Sequence, residues 1–285
     1  MIAQNFEYSA PTSLSEALNL LADGEAKALA GGMSLIPIMK LRLATPGQLV
    51  DLGRIPDLNY IRPDRDALRI GATTTHYDIE SSALIRSSCP LLAETAARIG
   101  DIQVRNRGTI GGSVAHADPA ADYPASLIAL EARVVLVTAK SQRELPIADF
   151  FVDTFTTALE PGELIREVIV PLEDPSVGTS YQKLAQPASG FALVGIAARV
   201  RKSAGKIGFA RVGVTGLSGK PYRATNVEQA LEGTAGSPAD IQKAAALVAD
   251  GVDANSDLHA SANYRKHLAR VYTMRALAVA SSRTA

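Results

Sequence analysis

The order of the predicted strands and helices constrains the fold of this chain most strongly. Three apolar strands follow one another directly and are succeeded by helices alone. The strands are predicted at residues 180–184, 192–201 and 206–215, and the helices at residues 226–231, 237–250 and 264–280. Consecutive strands followed by helices are typical of an α+β domain whose sheet is covered on one side.

The N-terminal part of the chain alternates between predicted helices and strands instead. Helices are predicted at residues 14–21, capped by Thr12 or Ser13, and at residues 35–43, 76–79 and 91–99. Strands are predicted at residues 27–30, 49–52, 68–72, 133–138 and 164–170. Residues 101–122 are expected to form a long irregular segment, and segments of that length are commonly functional.

The segment Glu173-Asp174-Pro175-Ser176 has the composition of a linker. It separates the alternating pattern from the run of strands, so we predict two domains, residues 1–174 and residues 178–285. A chain of 285 residues is long enough for two domains of ~100–200 residues each. At this length the buried surface is large enough that the fold needs neither disulfides nor metals.

Charge and cysteine content exclude several classes of protein. The chain has 29 Lys and Arg against 29 Asp and Glu, without the basic excess that nucleic-acid binding requires. Its single cysteine, Cys89, can form no internal disulfide and cannot hold an iron–sulfur cluster, which takes about four ligands. We interpret Cys89 as a buried structural thiol.

The sequence shows no signal for export or membrane insertion. The N-terminus lacks the basic start and apolar core of a signal peptide. The longest apolar stretch, residues 191–200, is too short to span a bilayer and contains Arg199. We therefore expect a cytoplasmic protein without a transmembrane segment.

Two segments with paired glycines are the strongest candidates for ligand binding. The first is Ala30-Gly31-Gly32-Met33-Ser34, between a predicted strand and a predicted helix. Paired glycines let the backbone approach a ligand closely, and N–H groups before a helix suit an anion. The alternative is a tight turn in which Ser34 caps the helix.

The second segment, Thr109-Ile110-Gly111-Gly112-Ser113, repeats the pattern and continues to Asp122. Two such segments in one domain suggest a diphosphate held between two backbone cradles. Asp122 could accept hydrogen bonds from ligand hydroxyls. Alternatively, it could cap a predicted helix over residues 123–130.

Other nucleotide, metal and catalytic signatures are absent from the sequence. No G-x-G-x-x-G opens a βα unit, and residues 213–220 (GVTGLSGK) lack the glycine at Val214 and the Ser or Thr at Pro221 that a P-loop needs. The sequence gives no indication of a Ser-His-Asp catalytic triad. The histidines are scattered without metal-ligand spacing and are interpreted as structural or surface residues: His76, His116, His259 and His267.

With these segments identified, the chain resembles the FAD-binding middle subunit of molybdenum hydroxylases, which include carbon monoxide dehydrogenases and the flavin domain of xanthine dehydrogenases. The resemblance is carried by residues 30–35 (AGGMSL), 109–113 (TIGGS) and 117–122 (ADPAAD) and extends over essentially the whole chain. It implies an α+β fold. A two-lobed FAD-binding domain of the vanillyl-alcohol-oxidase/PCMH type would precede a smaller α+β domain whose sheet is covered by helices.

The resemblance also implies which residues contact FAD. Gly31–Leu35 and Thr109–Ser113 would contact the diphosphate and ribityl chain, and Phe191 would shield the flavin ring. The full expected set is Leu29, Ala30, Gly31, Gly32, Met33, Ser34, Leu35, Ile99, Thr109, Ile110, Gly111, Gly112, Ser113, His116, Asp122, Ile165, Lys183 and Phe191. For the apolar residues of this set, the alternative is that they pack in the protein core and do not contact FAD. No residue is assigned a catalytic or metal-binding role.

The sequence departs from the family pattern at three positions. Pro187 and Gly190 stand where the family often has Arg and Asp, so contacts of those charges are not transferred to this chain. Met33 stands where the family often has a polar residue or histidine. Because FAD is held non-covalently in this family, we expect Met33 to alter packing only.

The resemblance implies an electron-transfer subunit of an oxidoreductase. Electrons from a large molybdenum–pterin subunit would pass through [2Fe-2S] clusters of a small subunit to FAD in this chain, and then to a quinone, O2 or NAD. The complex would be a heterotrimer, doubled as (αβγ)2. The substrate pocket would lie in another subunit, so this sequence does not distinguish carbon monoxide, aldehydes and N-heterocycles as substrates. The alternatives are a self-sufficient FAD oxidoreductase and a non-redox nucleotide-binding protein.

Overall fold

The computed structural model describes residues 2–22 and 24–284, which form three main sheets with helices packed against them. The first sheet is parallel, with strands in the order β1 (Glu7–Ser9), β3 (Gln48–Asp51) and β2 (Ala26–Leu29). Parallel neighbours need crossover connections, and these contain helices α1 (Leu14–Leu20) and α2 (Leu35–Lys40). Of the two predicted caps of α1, Ser13 is the one used, since its side chain accepts from the Glu16 N–H.

The second sheet is antiparallel and has β10 at its centre. Its strands are, in spatial order, β4 (Ile61–Asp64), β5 (Ala67–Gly71), β10 (Leu164–Pro171), β6 (Arg133–Val137) and β7 (Gln142–Pro146). A run of helices connects β5 to β6: α3 (His76–Ser81), α4 (Ala83–Ser88), α5 (Pro90–Ala96), α6 (Ile102–Arg105), α7 (Ile110–His116) and α8 (Tyr123–Ala129). The chain between β7 and β10 forms α9 (Ile147–Phe150), β8 (Phe151–Asp153) and β9 (Thr156–Thr157).

The helices of this run share one core with the second sheet. Leu68 and Ile70 of β5 pack there with the helical side chains. Cys89 lies in the same core with no exposed surface, and burial raises the pKa of its thiol to about 12. The interpretation of Cys89 as a buried structural thiol is confirmed.

The prediction of an irregular segment at residues 101–122 is wrong, because α6 and α7 lie within it. Asp101 caps α6 and Thr109 caps α7 through their side chains, each satisfying an N–H of the first turn. Ile110 and Val114 are fully buried on one face of α7. That burial stabilises a helix whose first turn contains two glycines, a residue that disfavours helices by about 1 kcal/mol each.

The third sheet is antiparallel, and its long strands confirm the predicted run of strands. Their order is β11 (Gly178–Ala185), β12 (Ala192–Ser203), β13 (Lys206–Thr215) and β14 (Tyr222–Arg223). They are followed by helices α10 (Thr225–Leu231), α11 (Pro238–Ala245) and α12 (Ala262–Ser282). This order confirms the α+β character of the C-terminal part.

The third sheet is buried on both faces, whereas the sequence predicted one covered face. Ile196 and Ala198 of β12 face a core shared with α12, while Ala197 between them faces the core that contains α8. Double burial explains why residues 192–198 are a continuous apolar run rather than an alternating one. Contact with α8 is close: a Cβ on Gly213 would lie 1.9 Å from the Ala125 carbonyl oxygen.

No helix within residues 2–22 and 24–284 combines the length and the apolar character needed to cross a bilayer.

Candidate cofactor site

A cavity of about 730 Å³ lies where the paired-glycine segments, the α5–α6 connection and the loop between β11 and β12 meet. Most of the predicted site residues line it: Ala30, Gly31, Gly32, Met33, Ser34, Leu35, Ile99, Thr109, Gly111, Gly112, Ser113, His116, Asp122, Ile165 and Phe191. The fold therefore brings together residues that are far apart in sequence.

The first glycine segment connects β2 to α2, and its two glycines have different roles. Gly32 has a φ of +74°, a conformation that residues with a Cβ rarely adopt. A Cβ on Gly31 would lie 1.9 Å from the carbonyl oxygen of Arg107. Gly31 thus permits the first glycine segment to pack directly on the residues that precede the second.

The backbone of the first segment offers unused hydrogen-bond donors to the cavity. Within the described chain, the N–H groups of residues 31–34 donate to no acceptor. The Ser34 side chain makes no capping hydrogen bond to α2, so the alternative in which Ser34 caps this helix is wrong. Four successive N–H groups without a partner at a cavity wall suit an anionic group.

The backbone of the second segment is already used by the protein. The N–H groups of residues 110–113 donate to the carbonyl oxygens of Thr74, Ala72 and Thr109 and to Thr109 Oγ1. A Cβ on Gly111 would lie 2.5 Å from the Cβ of Ala72, so this glycine serves packing. The expectation of two backbone cradles is therefore corrected for residues 110–113, whose N–H groups are occupied, whereas those of residues 31–34 have no acceptor within the described chain.

Asp122 lies at the cavity wall and is almost fully buried. Its Oδ1 accepts from the Tyr181 hydroxyl at 2.5 Å, and its Oδ2 accepts from Lys183 Nζ at 2.9 Å. Burial raises the pKa of the Asp122 carboxyl, while the Lys183 ammonium and the Tyr181 hydrogen bond oppose that shift. No side-chain cap of α8 is formed, so the alternative role of Asp122 as a helix cap is wrong.

Comparison with known proteins decides the family. Residues 4–173 match the FAD binding domain in molybdopterin dehydrogenase, and residues 179–280 match the CO dehydrogenase flavoprotein C-terminal domain. The carbon monoxide dehydrogenase medium chain of Hydrogenophaga pseudoflava is 40% identical over 287 residues, which cover 100% of both chains. The glyceraldehyde dehydrogenase medium chain of Sulfolobus acidocaldarius is 36% identical, over 97% of this chain and 98% of its own.

The chain belongs to the FAD-binding family of the molybdopterin dehydrogenases. A solved structure agrees, that of the Hydrogenophaga pseudoflava carbon monoxide dehydrogenase lacking the Mo-pyranopterin moiety: its TM-score is 0.97 at 41% identity, over 100% of both chains. The chain is thus the FAD-binding medium subunit of a multi-subunit molybdenum hydroxylase. The predicted family, oxidoreductase class, FAD cofactor and two-domain α+β fold are confirmed.

The cavity of this medium subunit fits FAD at two parts of the cofactor, the diphosphate and the flavin ring. The free N–H groups of residues 31–34 suit a diphosphate. The apolar side chains of Ile99, Ile165 and Phe191 lie on the cavity wall and suit a flat ring.

The loop that carries Phe191 closes one side of the cavity. Gly190 has a φ of +74°, and a Cβ there would lie 3.3 Å from the Gly100 Cα, so the loop packs on the residue that follows Ile99. Phe191 is 43% exposed. Lys183 Nζ donates to the Gly190 carbonyl oxygen at 2.7 Å and fixes the loop from behind.

Three predicted site residues do not line the FAD-sized cavity. Leu29 lies instead on a separate apolar cavity of about 340 Å³. Ile110 is fully buried in the core under α7, which is the packing alternative noted for such residues. Lys183 is buried behind Asp122 and the loop at Gly190. It therefore positions these cavity residues and does not reach the cavity itself.

Two histidines interpreted as structural or surface residues line the cavity. His116, a predicted site residue, packs on Phe155 with ring centroids 5.1 Å apart, and burial lowers its pKa. His76 was missed as a site residue, because a lone histidine after three threonines gives no spacing signal. Its place at the cavity depends on the packing of the start of α3 against Gly108, which is distant in the sequence.

Proposed function

We propose that the N–H groups of residues 31–34 and the Ser34 hydroxyl bind the FAD diphosphate, and that Phe191 covers the flavin ring beside Ile99 and Ile165. The observation that carries this proposal is the run of four N–H groups without an acceptor at the cavity wall. Bound FAD can take electrons singly and release them as a pair. The chain's own residues position it and keep water from the ring.

Each remaining site residue has a role in this arrangement. Thr109 caps the first turn of α7, and Gly111 packs on Ala72. Gly112 faces Ala30 of the first glycine segment, and Ser113 lies at the cavity wall. Asp122 accepts a hydrogen bond from the hydroxyl-bearing chain of FAD with the lone pairs that Tyr181 and Lys183 leave free. Its carboxylate is held in position by those two partners.

We further propose the partners that such a subunit requires. A large molybdenum–pterin subunit would oxidise the substrate, and a small subunit with [2Fe-2S] clusters would pass electrons to FAD here. We expect the heterotrimer to double as (αβγ)2, because two-fold symmetry is common in oligomers. The final acceptor is a quinone, O2 or NAD, and the complex is cytoplasmic. Two similar proteins are named as the medium chains of a carbon monoxide dehydrogenase and of a glyceraldehyde dehydrogenase, which supports a subunit that works with partner chains.

We place the two domains at residues 1–174 and 178–285. Strand β10 ends at Pro171 and β11 begins at Gly178, so the boundary falls in a segment without strands or helices. The ranges of the two family matches, 4–173 and 179–280, agree with this division.

A comparison of ligands tests the proposed binding mode. The complex co-purified with its partner subunits is stripped of flavin and titrated with FAD and with riboflavin. If the diphosphate contacts dominate, FAD binds at least 100-fold more tightly than riboflavin, roughly what two charge-assisted hydrogen bonds at 1.5–3 kcal/mol each supply. Equal affinity for the two ligands would contradict the proposal.

A further inference from the structure

His76 occupies a position between the cavity and the second glycine segment. Its backbone N–H donates to the Gly108 carbonyl oxygen at 2.9 Å, which ties the start of α3 to the residue before Thr109. A Cβ on Gly108 would lie 2.5 Å from His76 Nε2, so the imidazole fits only because residue 108 is glycine. The ring contacts Tyr123 edge-on, with centroids 5.3 Å apart.

Neither imidazole nitrogen of His76 forms a hydrogen bond within the described chain. Nδ1 is fully buried, and the residue as a whole is only 4% exposed, at the cavity wall. Because Nδ1 is closed off by the protein, Nε2 is the nitrogen left for a partner outside the chain. Desolvation, with a smaller contribution from Arg105, lowers the pKa of His76 to about 4, and the ring is neutral near pH 7.

A neutral imidazole has one N–H donor and one acceptor nitrogen. A buried donor without a partner is rarer than an unused acceptor. Since Nδ1 has no partner, the proton is better placed on Nε2, which leaves Nε2 as a donor.

We propose that His76 is a further FAD-binding residue, which donates a hydrogen bond from Nε2 to bound FAD. The inference rests on the proposed placement of FAD in this cavity. It adds a side-chain donor beside the second glycine segment, whose N–H groups at residues 110–113 are already used.

Two substitutions separate a ligand contact from a structural role. His76→Phe keeps a ring against Tyr123 but removes both nitrogens. His76→Gln restores an N–H donor of similar reach. Tyr123→Phe is the matched control, because it removes a buried hydroxyl that has no partner within the described chain, from a residue that does not line the cavity.

FAD affinity is measured on the deflavinated complex, and thermal unfolding on the full-length chain without FAD. We expect His76→Phe to raise the FAD Kd roughly 5- to 100-fold without lowering the melting temperature, because a ligand group loses its donor. His76→Gln should recover part of the affinity, and Tyr123→Phe should leave it unchanged.

The outcomes are distinguishable. A Kd within two-fold of wild type for His76→Phe would overturn the inference. A loss of both stability and FAD affinity in His76→Phe that His76→Gln does not relieve would also overturn it. If His76→Phe fails to fold, the His76→Gln variant decides: an FAD Kd far above that of wild type in a stable chain would contradict the inference. Failure of the wild-type complex to bind FAD would instead contradict the proposed function.

Discussion

Lys183 Nζ lies 2.9 Å from Asp122 Oδ2, and both side chains are 4% exposed. The same ammonium donates to the Gly190 carbonyl oxygen at 2.7 Å. One cation therefore joins the cavity-lining carboxylate of the FAD-binding domain to the loop that carries Phe191.

Removing this cation should destabilise the protein strongly. Lys183→Met leaves the Asp122 carboxylate buried without its partner, at a cost of about 3–5 kcal/mol in the free energy of unfolding. The double variant Asp122→Asn/Lys183→Met should recover most of that loss. Urea unfolding of the chain measures both. Arg201→Met is the control, because its pair with Asp174 is exposed and screened by solvent, so its loss should change stability little. Equal losses in Lys183→Met and Arg201→Met would contradict the assignment.

Contact between the first glycine segment and the residues that precede the second should be required for FAD retention. Gly31→Ala places a methyl group against the Arg107 carbonyl, so the first segment must move away and the complex should purify with little FAD. Gly47→Ala is the control, since a Cβ there would meet nothing within 4 Å. The absorbance ratio of flavin to protein gives the result. Full FAD occupancy in Gly31→Ala would show that this packing does not position the cofactor.

Burial of neutral His76 should make the chain sensitive to acid. Its pKa falls from 6.5 to about 4 on folding, so the unfolded state binds the extra proton between these values. Stability is therefore highest above pH 6.5 and decreases toward pH 4, by on the order of 3 kcal/mol from this group. His76→Phe should flatten the dependence of the unfolding free energy on pH in this window. An unchanged slope would show that His76 titrates normally in the folded chain.

Phe191 should contribute to FAD binding but little to stability. The residue is 43% exposed, so Phe191→Ala should leave the unfolding free energy nearly unchanged. Loss of a ring contact worth about 0.5–1.5 kcal/mol should raise the FAD Kd roughly 2- to 12-fold. Phe6→Ala, similarly exposed at 39% but away from this cavity, should not change it. Identical FAD titration curves for both variants would remove Phe191 from the site.

The sequence located the glycine segments but not the reason for each glycine. Paired glycines are visible as a pattern, whereas the contact of Gly31 with Arg107 depends on how two distant segments pack. The same limit explains α7, where a capping threonine and buried Ile110 outweigh the low helix propensity of two glycines. Local pattern therefore indicated the site, and tertiary packing decided its geometry.

Charged and polar positions were harder to interpret than apolar ones. Lys183 was expected at the cofactor on the basis of resemblance, but the acceptors that orient it, Asp122 and the Gly190 carbonyl, are up to 61 residues away along the chain. Strand β7 was not predicted at all, because its exposed edge position leaves it few apolar residues. By contrast, the apolar runs of β12 and β13 were predicted closely, since burial on both faces dictates their composition.

Hydrogen exchange of the complex with and without FAD tests the central claim most directly. The amides of residues 31–34 have no acceptor in the described chain, whereas those of residues 110–113 are already hydrogen-bonded and act as an internal control. If the first glycine segment binds the diphosphate, FAD should slow exchange at residues 31–34 by at least ten-fold and change residues 110–113 far less. Unchanged exchange at residues 31–34 in the FAD-loaded complex would contradict the account.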